Sequence, residues 1–72
     1  MKAPRLRELR ERAFLTQAEL AEKSGVSEGT INRIELGRHS PRISTIRRLA
    51  QALGVSPEEL VSPPGEQRAL AG

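Results

Sequence analysis

Between residues 16 and 37 the chain meets four spacing requirements at once, and together they leave little freedom in how it folds. Counting Gln17 as the first position, the fifth is Ala21, small enough for two helices to cross over it. The ninth is Gly25, which takes positive φ without the clash that a Cβ brings. The fifteenth and eighteenth are Ile31 and Ile34, three apart and so on one face of a second helix. Thr16-Gln17-Ala18-Glu19 opens the first of these helices as a capping box, hydroxyl to backbone N–H in one direction and carboxylate to backbone N–H in the other. Ser27 is the N-cap of the second, and Gly37 closes it.

The rest of the sequence carries the same period. Apolar residues recur at helical spacing and no stretch alternates with period two, so the chain is read as all-α. A first helix spans about residues 4–13 and buries Leu6, Leu9 and Ala13; Arg7/Glu11 and Glu8/Arg12 pair four apart on its wet face. In the second helix Leu20 and Ala21 point inward. A fourth helix covers residues 43–53, with Ile43, Ile46, Leu49, Ala50 and Leu53 inside and Gly54 ending it. Ser56-Pro57-Glu58-Glu59 starts a short fifth helix with proline in its first turn and a second capping box. The domain is expected to end at residue 61. Ser62-Pro63-Pro64-Gly65 breaks the pattern, and residues 62–72 read as a disordered tail.

Composition removes several function classes. A chain of 72 residues is one domain and buries only about 60% of its unfolded surface, too little for a deep catalytic pocket. There is no cysteine, and His39 has no second ligand beside it, so neither a metal nor another cofactor is expected. No nucleophile–base pair or phosphate loop is visible, so an enzyme is not expected either. No apolar run reaches the roughly 20 residues of a membrane helix, and Met1-Lys2-Ala3-Pro4-Arg5 is no signal peptide. A soluble cytoplasmic protein is the expectation. Charge is uneven: residues 1–50 hold eleven Lys/Arg against six Glu, whereas residues 51–72 hold one Arg against three Glu. The basic part is the one expected to face phosphates.

Two short helices joined by a tight glycine turn form the unit that enters a DNA major groove. Leu9-Arg10, Leu15 through Ser27, Thr30-Ile31, Ile34-Glu35 and Gly37 resemble the Cro/C1-type (XRE) helix-turn-helix family of lambdoid phage repressors and related bacterial regulators. Leu49-Ala50, Ala52 through Val55 and Leu60 continue the likeness, which covers about residues 5–61. It implies a five-helix lambda-repressor-like domain that binds double-stranded DNA, in the cytoplasm of a prokaryote and at its nucleoid. Gln17 would contact a phosphate, as would Arg38, His39 and Arg42 after the third helix. Ser27, Glu28, Gly29, Asn32 and Arg33 would face the bases, with Arg33 suited to bidentate pairing with guanine. Arg10 and Glu35 match a pair that forms a structural salt bridge in the family. Val55, Ser56, Pro57 and Leu60 map onto the region through which the family often forms homodimers.

Three positions depart from the family's habit. Phe14 stands where glycine commonly ends the first helix, so it either takes positive φ or the turn is rebuilt; as the only aromatic it is expected to lid the core. Gly29 sits at the centre of the reading face, where it either permits a close approach of the helix to the bases or removes a contact and lowers selectivity; the second is expected. Arg42 replaces a common capping serine and favours phosphate binding, unless Ser40 caps and Pro41 takes the first turn. Arg47 and Arg48 read as solvated surface. The resemblance implies a transcriptional repressor acting as a homodimer on a palindromic operator. The alternative is an antitoxin that regulates its own operon and binds a toxin through its C-terminal tail.

Overall fold

Five helices follow one another: α1 (Leu6–Arg12), α2 (Gln17–Ser24), α3 (Glu28–Glu35), α4 (Ile43–Leu53) and α5 (Pro57–Val61). They come from a computed structural model that describes residues 1–63, so the tail expected beyond residue 61 lies almost wholly outside the described residues. No strand occurs among the described residues.

Local chemistry sets most of the boundaries. Thr16 Oγ1 accepts from the Glu19 N–H at 3.0 Å, and Glu19 Oε1 accepts from the Thr16 N–H at 2.8 Å, completing the capping box of α2. Gly25 ends α2 in the left-handed region at φ +76. Ser27 caps α3 by accepting from Thr30 N–H at 3.2 Å, and Gly37 at φ +73 turns the chain away after it. Ser56 Oγ accepts from Glu59 N–H at 3.4 Å, and Pro57 occupies the first turn of α5, where its missing N–H costs nothing.

α2 packs against both α3 and α4, α4 packs against α5, and α1 lies on α3. Their shared interior holds Leu6, Leu9, Leu20, Val26, Ile31, Ile34, Ile46, Leu49, Ala50 and Leu60. Each large side chain taken from water there contributes about 1.5–3 kcal/mol. Ala21 is half-buried against this cluster, as its place at the α2–α3 crossing requires.

Several expectations need correction. α1 is shorter than residues 4–13, and Ala13 is its exposed C-cap instead of a core residue. The turn begins there because Phe14 takes φ +58, which swings the chain out of the helical path. Phe14 does not lid the core; it is 92% exposed. Ile43 is 56% exposed: it is the first residue of α4 and lines an open concavity with Pro57 and Val61 of α5 instead of entering the core. Arg42, not Ser40, is the N-cap of α4 and makes no side-chain cap bond, while Pro41 is fully buried. Leu60, expected between two copies, is fully buried and anchors α5 to the domain's own core.

One structural contact was not anticipated. The first residues fold back along the domain: Ala3 and Arg5 are buried, and Lys2 Nζ donates to Gly37 O at 3.0 Å. Arg5 donates from its side chain to Glu8 Oε1 at 3.1 Å and to Glu59 O at 3.5 Å, and from its backbone N–H to Leu60 O at 3.4 Å. A buried guanidinium is tolerable only when paired, and these partners supply the pairing.

The capping box makes α2 acid-sensitive. Hydrogen bonds from Thr16, the backbone N–H foremost, hold the Glu19 carboxyl below the ordinary value of 4.5. A lowered folded pKa gives stability that is complete above the unfolded value and is lost as pH falls through the folded one. Glu19→Gln keeps an acceptor and removes the titration. Its Tm is therefore expected to fall less steeply than wild type below about pH 4.5; parallel slopes would refute the assignment.

Candidate nucleic-acid interface

α3 divides into two faces. Ile31 and Ile34 are buried, and the helical step carries Glu28, Gly29, Asn32 and Arg33 to the solvent side. Ser27, Arg38, His39 and Arg42 are exposed as well. All five residues expected to face bases and three of the four expected at phosphates are therefore on open surface. Gln17 differs.

Gln17 is half-buried, and its amide is engaged. Nε2 donates to Glu35 Oε1 at 3.0 Å and to Asn32 Oδ1 at 3.3 Å, which occupies both of its hydrogens. In this arrangement the side chain has no donor left for a phosphate. It fixes Asn32 on the open face of α3 and ties that helix to the start of α2.

Glu35 is the centre of this network. Arg10 grips it bidentately, Nε to Oε2 at 2.7 Å and Nη2 to Oε1 at 3.0 Å, and both side chains are largely withdrawn from water (12% and 4% exposed). The remaining Arg10 branch donates to Leu15 O at 2.8 Å. The hydrogen bond to Glu35 holds the guanidinium pKa above its ordinary value, against the opposing effect of burial. One residue from α1, one from α2 and two from α3 thus fix the α1–α2 corner against α3.

At the leading end of α3 a second chain of contacts forms, and sequence reading missed its middle member. Ser27 Oγ donates to Thr30 Oγ1 at 2.8 Å, and Arg33 Nη2 approaches the same oxygen at 3.5 Å. Spacing of i, i+3, i+6 was the available signal. Arg33 lies back over Gly29: a Cβ there would meet Arg33 Nη1 at 3.8 Å, an ordinary contact. A methyl group at this position would therefore fit beside the guanidinium without displacing it.

Among the described residues no group of three or more His, Cys, Asp or Glu is placed to hold a metal ion, and no helix is long and apolar enough to cross a membrane.

A capped helix held across another by a left-handed glycine, with one apolar face buried and a polar face free, defines the helix-turn-helix class. The family model described as a helix-turn-helix domain matches residues 3–62, and the chain belongs to that family. It is 47% identical over 58 residues to an uncharacterized HTH-type transcriptional regulator, y4dJ, of Sinorhizobium fredii, covering 81% of this chain and 75% of that one. It is 39% identical over 62 residues to the cryptic phage CTXphi transcriptional repressor RstR of Vibrio cholerae, covering 86% of this chain but only 56% of RstR. The crystal structure of a hypothetical transcription factor, NHTF, from Neisseria superposes with a TM-score of 0.84 at 32% identity, covering 90% of this chain and 75% of the other.

Glu35→Ala is expected to cost about 3–5 kcal/mol in urea unfolding, because it strands a poorly hydrated guanidinium. Combined Arg10→Met and Glu35→Leu, which removes both charges and keeps volume, should cost less than the single change. A single-variant cost under about 1 kcal/mol would mark the contact as no more than a surface ion pair.

Proposed function

We propose that this chain is a sequence-specific DNA-binding transcriptional regulator, acting as a repressor, that lays α3 in the major groove of a palindromic operator as a homodimer. The observation that carries this reading is the free face of α3. Glu28, Gly29, Asn32 and Arg33 are exposed and lie outside the core, while Arg10, Gln17 and Glu35 hold the helix from behind. Arg33 is the principal base reader, pairing with guanine O6 and N7. Ser27 and Glu28 meet bases at the leading end, Glu28 as an acceptor from a cytosine amino group.

Backbone contacts set the register. Arg38, His39 and Arg42 take phosphates after α3. At α2 the open N–H groups of the first turn, helped by the helix dipole, take the phosphate first assigned to the Gln17 side chain. Gln17 contributes by holding Asn32. The copies meet at the α4–α5 corner through Val55, Ser56 and Pro57, with Leu60 supporting α5 from beneath. Two-fold symmetry then places the reading helices about 34 Å apart, one turn of DNA.

Selection of bound sequences from a random DNA pool tests the whole reading. The expected product is a palindrome with half-sites about one helical turn apart; recovery of no enriched sequence would overturn specific recognition. On the selected site, Arg33→Ala should cost about 1–3 kcal/mol and relax preference at one base pair of each half-site. Arg42→Ala should weaken all sequences alike and reduce the slope of log affinity against log salt by about one unit. Equal loss on selected and random DNA for Arg33→Ala would remove its base-reading role.

A further inference from the structure

Phe14 stands in a conformation and a place that the fold does not reward. It is the chain's only aromatic residue. It is also the only non-glycine residue at positive φ among the described residues, and its side chain is 92% exposed. A bulky side chain in the left-handed region is disfavoured, and glycine makes the same turn without strain. Burial offers no compensation, because the ring touches the core hardly at all. Strain that persists without a packing return directs attention to what the residue meets from outside.

Its place in the chain is well defined. Phe14 lies two residues before Thr16, the N-cap of α2. Its N–H donates to Glu11 O at 3.0 Å, and the Leu15 N–H donates to Arg10 O at 3.2 Å, so the corner's backbone is fixed. Leu15 O is in turn held by Arg10, Arg10 by Glu35, Glu35 by Gln17, and Gln17 by Asn32. The backbone at Phe14 is therefore tied to the open face of α3 through this chain of contacts, and it lies two residues before the N-cap of α2.

The geometry points to Phe14 as an apolar contact to the DNA backbone, its ring packed on the deoxyribose beside the phosphate received by the first turn of α2. The inference rests on the DNA-binding reading above. Phosphate oxygens call for N–H donors, which α2 supplies; the sugar between two phosphates presents C–H groups, which an aromatic ring covers without needing a hydrogen bond. Such a contact is blind to sequence and carries no charge. It adds affinity to every site without changing how affinity responds to salt.

Phe14→Gly separates this role from folding, since glycine suits φ +58 and little buried surface is lost. The variant is expected to melt at or above the wild-type temperature. It should bind both the selected operator duplex and a random duplex about five- to tenfold more weakly, with an unchanged salt slope. Phe14→Leu, which keeps an apolar side chain, should recover most of the affinity. Unchanged affinity of Phe14→Gly would overturn the contact, as would a loss confined to the operator, a shallower salt slope, or a fall in melting temperature parallel to the loss. Failure of the unsubstituted chain to bind either duplex is a different result and would overturn the DNA-binding reading itself.

Discussion

Glu35 closes the last turn of α3 with its carboxylate 4% exposed, and the domain is arranged to satisfy that charge. Arg10 from α1 takes both oxygens, and Gln17 from the start of α2 shares one of them. Burying an ion pair returns little net stability, because desolvation opposes the Coulomb attraction. What the arrangement gives is registration. Hydrophobic contacts between α1, α2 and α3 are tolerant of small slips, whereas three donors on one carboxylate are not. The position of α3, and of the exposed face it carries, is set by that intolerance.

The reading face shows the same division between holding and contacting. Gln17 and Thr30 each connect a structural element to a residue on the open face, Asn32 in one case and Arg33 in the other. Such contacts restrict rotamers of side chains that would otherwise sample several, and so reduce the ordering cost on binding. Gly29 lies beside Arg33, and a Cβ there would meet the Arg33 guanidinium at an ordinary contact distance of 3.8 Å.

How much of this was legible in the sequence depended on range. Interactions closed within four residues were read correctly: the Thr16–Glu19 box, the Ser27 and Ser56 caps, the left-handed turns at Gly25 and Gly54, and the Ile31/Ile34 face. Arg10 and Glu35, 25 residues apart, were found only because the surrounding motif resembles a known family. Errors arose where period alone was asked to say what lies opposite. Ile43 and Ala13 fit the apolar stripe of their helices but sit at helix ends, where they remain exposed. Leu60, placed at a dimer interface on the family resemblance, is buried within its own domain. The engagement of the Gln17 amide and the clasp made by Arg5 depend on tertiary contacts that no local pattern encodes.

That clasp has a topological consequence. Arg5 reaches the carbonyls of Glu59 and Leu60, so the first turn of the domain and its last helix lie side by side. A five-helix unit closed in this way behaves almost as a ring, with its entry and exit strands of chain leaving from neighbouring points. Additional domains attached before or after it, as the greater length of RstR permits, would be anchored at adjacent places on the surface. They would bear on neighbouring spots of the domain: a pull on the C-terminal strand would reach the α5 clasp first, whereas Lys2 ties the N-terminal strand directly to Gly37 O, just after α3.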